Sequence, residues 1–324
     1  MKYSQSSPML SFSIALSATL FTTISPAATI GYYTFTTATA LPAGGIVNIQ
    51  AYSDQTALGL GSRVTFNQSY YDTASGKTPT IANGGALATS LTAALPAAGF
   101  NLATATTTPA LPAAPAGSSR VGVISANAAL GPYDISEVSA GSNAAAAKAG
   151  FTIALGGNVQ KVNIAANLIV LGIDSSNNAD MVNPGQLVVA VNNGAPIVAA
   201  LQGGDTPDQE AGRLMKALDA AGFVATEPGG GDAVDLDWND PANSSLLGSV
   251  ANITFGMQNS GGAYQLEMDF PESAAVPEPA PGLLLGSGLA LIGVSLLPTR
   301  TVRTSQTKMH PICRVAGRYL LSLR

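Results

Sequence analysis

Apolar and polar positions alternate with a period of two along several short segments and with a helical period along a few, which predicts short strands interrupted by short helices. Residues 186–191 and 196–201 are apolar runs on either side of Asn192-Asn193-Gly194-Ala195, a hairpin signal. A helix is predicted over 206–221. Thr206 is suited to the N-cap, Pro207 to the first helical position and Gln209 to the far corner of a capping box. Ala211, Leu214, Met215, Leu218 and Ala221 then fall on one face. Residues 223–226 can return as a strand, completing a strand, strand, helix, strand unit. Residues 151–155, 162–164 and 168–171 read as buried strands.

The helix signal recurs. Residues 91–100 read LTAALPAAGF and residues 214–223 read LMKALDAAGF, 123 positions later, with a shorter echo, AAKAGF, ending at Phe151. All three close on Ala-Gly-Phe. This is a helix stop, in which glycine takes the left-handed position after the cap and phenylalanine packs back on the last turn. The earlier copy is expected to be the poorer helix, because Pro96 interrupts it. Divergent duplication is the preferred reading of the repeat. The unit at 186–226 also loosely resembles small modules of phage tail and bacterial surface proteins, in which a hairpin leads through Gly-Asp-Thr, here Gly204-Asp205-Thr206, into an Ala-rich helix. The expected fold class is α+β and β-rich: short-stranded sheets with two or three short Ala-rich helices, plus a C-terminal transmembrane helix.

Composition and charge narrow the setting. Charged residues make up 10% of the 324, against roughly a quarter in average soluble domains. All 19 acidic residues lie at or before Glu278, whereas the stretch from Thr29 to Pro279 holds seven basic ones, so that this body carries a net −12. Beyond Pro279 there are six basic residues and no acid. A uniformly acidic body argues against a nucleic-acid partner, which needs clustered Lys and Arg. Cys313 is the only cysteine, so neither an intrachain disulfide nor a Cys-based zinc site can form.

The two ends read as targeting segments. Lys2 precedes a mainly apolar stretch from Met9 to Phe21, followed by Ser25-Pro26-Ala27-Ala28, which places small residues for signal-peptide cleavage after Ala27. Near the other end, Pro277-Glu278-Pro279 precede an uncharged apolar run over 282–297, with Arg300 and Arg303 on its far side. Sixteen helical residues extend about 24 Å, short of the roughly 30 Å hydrocarbon core. Basic residues on the far flank alone would hold that side in the cytoplasm and leave the acidic body outside.

This arrangement resembles the PEP-CTERM sorting domain, over about residues 276–303. The resemblance implies that Pro277, Glu278 and Pro279 are the recognition motif for a membrane transpeptidase, the exosortase. It further implies that 283–297 is the membrane helix and that Arg300 and Arg303 are the basic flank. Implied partners are the exosortase, signal peptidase, the inner membrane as a transient station, and the exopolysaccharide of a Gram-negative envelope. In this chain the basic residues are spread out and the sequence continues to Arg324, and an uncleaved single-pass anchor is the rival reading. The expected organisation is signal peptide 1–27, a first α+β module 28–102, a low-complexity linker 103–119, a second α+β region 120–271, a Pro-rich linker 272–281, the transmembrane helix 282–297 and a basic cytoplasmic tail 298–324.

Catalytic signals are sparse. His310, the sole histidine, lies beyond the apolar run, so the body holds no Ser-His-Asp triad and no His-ligated metal. The densest acidic stretch, GDAVDLDWND, offers Asp235, Asp237 and Asn239 as calcium ligands, but it fails the EF-hand pattern at Asp240 and Leu246. Val234, Leu236 and Trp238 alternate with the acids, so a half-exposed strand accounts for the same letters. Trp238 on a sugar is weighed against Trp238 in the core. No cofactor is implied. The expected function is a non-enzymatic exported surface or extracellular-matrix protein. The alternatives are an adhesin or carbohydrate-binding module, and a carboxylate-dependent hydrolase.

Overall fold

The computed structural model describes residues 29–54, 63–107, 110–124, 135–161, 168–173, 185–227 and 231–271. The signal and sorting segments, including Ala27, Pro277, Glu278, Pro279, Arg300 and Arg303, lie outside the described residues, as does the strand expected at 162–164. Among the described residues no helix is long and apolar enough to cross a membrane.

Among these residues fourteen strands and four helices follow one another as β1 (Thr29–Thr36), β2 (Ile46–Asp54), β3 (Arg63–Tyr71), α1 (Gly84–Ala97), β4 (Asn101–Ala103), β5 (Ser118–Ile124), β6 (Glu137–Ser142), α2 (Ala144–Lys148), β7 (Ile153–Gln160), β8 (Leu168–Ile173), β9 (Gln186–Val191), β10 (Ile197–Ala200), α3 (Pro207–Ala220), β11 (Ala225–Thr226), β12 (Ala233–Asp237), α4 (Pro241–Leu247), β13 (Val250–Gln258) and β14 (Tyr264–Asp269). They form two seven-stranded antiparallel sheets, ordered β10-β9-β13-β7-β1-β5-β4 and β11-β12-β8-β14-β6-β2-β3. The β-rich expectation with a few short helices therefore holds. The helices number four among the described residues, and α4, PANSSLL, is not Ala-rich.

Each strand buries one face. Val47, Ile49 and Ala51 of β2, Leu155 and Val159 of β7, Ile169 and Leu171 of β8, and Leu266 and Met268 of β14 join a core cluster fed by both sheets. The residues between them point away from it, as the period-two alternation requires. Trp238 sits in this core with no exposed ring surface, its Nε1 donating to Gly248 O at 3.0 Å.

The two sheets are built by one connectivity used twice. In the first half β1 pairs with β5 and β7, β2 with β3 and β6, and β4 with β5. In the second half β8 pairs with β12 and β14, β9 with β10 and β13, and β11 with β12. Each half thus runs strand, hairpin, helix, two paired strands, then two more strands. The sheets exchange roles between halves, and β7–β13 and β6–β14 tie the halves together. The repeat that Ala-Gly-Phe marks locally is accompanied by a repeated strand connectivity over the described body. Strands from 28–102 and from 120–271 interleave in both sheets, so 103–119 joins neighbouring strands β4 and β5 rather than two separate bodies.

The repeated stops share one geometry. Phe100, Phe151 and Phe223 donate their backbone N–H to Leu95, Ala146 and Leu218 at 3.1, 3.0 and 3.1 Å. The preceding glycines have φ of 99°, 76° and 93° and donate to Pro96, Ala147 and Asp219. These paired bonds satisfy carbonyls that a helix end leaves open. At the other end of α3, Thr206 and Gln209 form both bonds of the capping box. Two local expectations are corrected. Pro96 does not interrupt α1, which at 14 residues is as long as α3. It falls in the last turn, and both it and Thr92, whose carbonyl it leaves without a helical donor, are exposed to water. Ala221 is the C-cap and is exposed, so the apolar face of α3 ends at Leu218, while Glu210 is buried beside Ala211 and Leu214.

Candidate functional site: an acidic patch on one sheet face

The outward faces of the two sheets differ in chemistry although their connectivity is the same. On β1, Ile30 and Tyr32 turn outward and are covered by the 103–119 stretch, with Leu111 packed against them. Arg120 holds this cover in place. Its guanidinium lies 4.2 Å from the Tyr32 ring centroid, its Nη1 donates to Pro112 O at 3.0 Å, and its Nε donates to Thr34 Oγ1 at 3.0 Å. Tyr32 in turn donates to Asn252 Oδ1 at 2.5 Å. Burial pushes the Tyr32 hydroxyl up to about 12, against the opposing pull of Arg120. The Ile30 and Tyr32 part of this face is thus covered by protein.

The outward face of the other sheet is acidic and half-buried. Glu137 and Ser139 alternate with the inward Val138 and Ala140 on β6, and Glu267 and Asp269 alternate with the inward Leu266 and Met268 on β14. The antiparallel register sets Glu137 opposite Asp269 and Ser139 opposite Glu267. Four oxygen-bearing side chains therefore occupy the corners of one cross-strand rectangle. Carboxylate oxygens of Glu137, Glu267 and Asp269 all lie within 4.8 Å of one another. Flanking them, β2 places Tyr52 opposite Glu137 and Gln50 opposite Ser139, while β8 places Val170 opposite Asp269 and Gly172 opposite Glu267. One strand further, Asp235 of β12 stands opposite Val170.

Burial first, and crowding of like charge after it, set the protonation of this patch. Burial raises Glu137 to about 7, with Glu267 adding to the shift. Burial raises Asp269 to about 8, followed by the charges of Glu267 and Glu137, a hydrogen bond with Glu267, and the more distant Asp235. Asp235 is itself raised by burial. Both effects favour the protonated forms of Glu137 and Asp269. The Ser139 hydroxyl, 1% exposed, has no hydrogen-bond partner.

The residues singled out in the sequence are placed differently. Asp235 and Asp237 occupy successive outward positions of β12, and Asn239 lies past its end. Asp237 Oδ1 accepts from the Asn239 amide at 2.8 Å and Asp240 caps α4 through Ala242, so this stretch serves a strand-to-helix turn. Glu137, Glu267 and Asp269 escape a reading of sequence because 130 residues separate Glu137 from Glu267. The only local signal is the i, i+2 spacing of Glu267 and Asp269 in YQLEMDF. A second surface feature is an apolar groove of about 560 Å³ between the β9–β10 hairpin and α3, where Val198 and Leu246 are more than 40% exposed. The chain matches no protein-family model, no curated protein and no solved structure.

Proposed function

We propose that this chain is an exported component of a bacterial envelope or extracellular matrix, delivered by its N-terminal signal and its PEP-CTERM-type tail, with a non-enzymatic body. The observation that carries the reading is the order Pro277-Glu278-Pro279, an uncharged run over 282–297, then Arg300 and Arg303, downstream of a body with net charge −12. In this reading 282–297 is a transmembrane helix, the exosortase cleaves near Glu278, and the body is released to the cell surface of a Gram-negative bacterium. The proposed structural role is supported by how the polar side chains of the body are used. Asp205 holds Arg213 and the Gln202 amide, Asp72 holds the amides of Gly44 and Ala74, and Asn243 bonds Val224 and Asp237.

A binding module on the envelope is the second reading. It is favoured by the outward face of β2, β6 and β14, where the half-buried Asn48, Gln50, Tyr52, Gln265 and the acids lie side by side. Trp238 has no ring face to offer a sugar. A carboxylate-dependent hydrolase would draw on the same acids. Neither the apolar groove nor a smaller cavity of about 220 Å³ beside Thr34 and Gly256 is lined by any of them.

Mass spectrometry of the native product tests the proposal. A mature chain beginning at Ala28 and lacking 283–297 is expected. A mature chain that retains 283–297 counts against exosortase cleavage and for a plain anchor, and turnover of a glycan or peptide abolished by Glu137→Gln overturns the non-enzymatic reading.

A further inference from the structure

We propose that Glu137, Ser139, Glu267 and Asp269 form a calcium site on the outward face of the second sheet. This inference is independent of how the chain is sorted. A cluster of acids alone would be an ordinary exposed patch, and the Ser139 hydroxyl is what distinguishes this one. It is 1% exposed, unpartnered, and on the same strand face as Glu137, directly across from Glu267. A buried hydroxyl without a partner is costly, and native structures rarely leave one so. A hard cation seated in the rectangle takes a lone pair from that oxygen while the hydroxyl proton turns to a carboxylate, so one ligand resolves both the unpaired hydroxyl and the crowding of three carboxylates.

The donor set selects the ion. All four donors are oxygens, as calcium and magnesium require, and none is the nitrogen or sulfur that zinc favours. Magnesium demands a near-ideal octahedron and is usually bound through one or two carboxylates with several retained waters, whereas calcium accepts six to eight oxygens in irregular arrangements and suits three converging carboxylates. Three carboxylates and one hydroxyl supply oxygens toward that number, Gln50 stands next to them opposite Ser139, and water supplies the remainder. Gly172, opposite Glu267, leaves the β8 side uncrowded; a Cβ there would stand 3.3 Å from Glu267 Cβ. Asp235 adds negative charge one strand away, and the net charge of the body raises the local cation concentration. The site also links the two halves of the body, because β6 belongs to the first and β14 to the second.

Terbium, which replaces calcium and emits when a nearby tyrosine is excited, is a direct probe because Tyr52 stands opposite Glu137. For the purified full chain, calcium is expected to raise the Tm and to displace terbium emission, with magnesium much weaker. Glu267→Gln should weaken calcium binding at least tenfold, and Ser139→Ala several-fold. Tyr52→Phe should dim the emission without changing calcium affinity. The cation-free Glu267→Gln chain should still unfold cooperatively, which shows that a lost response is not a failure to fold. The proposal is overturned by a Tm indifferent to calcium, or by terbium emission that Glu267→Gln leaves unchanged. Either result leaves a cluster of partly buried acids only.

Discussion

Gly99 and Gly222 stand 123 residues apart and hold the same left-handed backbone, φ 99° and 93°, each one residue past the cap of a 14-residue helix. Space around them is adequate, since added Cβ atoms would find Val64 at 3.5 Å and Leu246 at 3.9 Å. The cost of a side chain is therefore conformational. Gly99→Ala and Gly222→Ala should each destabilise the fold by about 1–2 kcal/mol, and Gly222→Asn by less. Denaturant melts of the three variants check this; equal stability of Gly222→Ala and the parent would contradict it.

Gly156 is needed for a different reason. A Cβ there would drive into the Tyr32 ring, which Arg120 covers from above and Asn252 holds by its hydroxyl. Gly156→Ala should cost about 1–3 kcal/mol through overpacking and should loosen the 103–119 cover. Faster protease cleavage within 103–119 than in the parent is the expected readout.

Asn243 is fully buried in α4 and makes three bonds: Oδ1 accepts from Val224 N at 2.9 Å, and Nδ2 donates to Val224 O at 2.8 Å and Asp237 O at 3.0 Å. Asn243→Leu keeps the branching of the side chain, adds bulk and strands those backbone groups, which should cost about 2–3 kcal/mol. Thermal unfolding measures the loss. A neutral result would show that water reaches the strand ends at β11.

Two carboxylates at the start of α3 should give opposite pH dependence. Burial, then the charge of Asp205, raises Glu210 to about 7. Between the ordinary carboxyl value and about 7 the folded chain holds more protons than the unfolded chain, so this group lowers stability as pH rises through that window. For Asp205 burial acts upward, but the bonds from Arg213 and the Gln202 amide together with the Arg213 charge hold it below the ordinary value. Its contribution is present above the unfolded value and is lost as pH falls through the lower, folded one. Glu210→Gln should therefore raise stability at pH 8, on the order of 1 kcal/mol, and bring no gain at pH 4. Asp205→Asn should lower it at pH 8. Melts across pH 4–8 decide, and a Glu210→Gln gain as large at pH 4 as at pH 8 would refute the assignment.

The local devices of this protein are legible in short stretches of its sequence. Thr206, Pro207 and Gln209 specify a helix start through bonds within four residues. Ala-Gly-Phe specifies a helix stop the same way, and Asn192 and Asn193 turn the β9–β10 hairpin with φ of 52° and 57°. The alternation of Val234, Leu236 and Trp238 with acids marks β12 for the same reason: the period of a strand is a property of its own backbone. Pro96 defeats a local reading because its effect depends on how many turns follow it and on whether the freed carbonyl meets water. Which strands become neighbours is settled only when the chain folds. The exchange of sheets between the two halves, the covering of Ile30 and Tyr32 by the chain around Leu111, and the meeting of Glu137 and Ser139 with Glu267 and Asp269 all follow from pairing register. That register is set by contacts across more than a hundred residues, to which no local pattern is sensitive. Dense local acidity therefore points to Asp235 and Asp237, one of which serves a turn, while the carboxylates that crowd together come from strands more than a hundred residues apart.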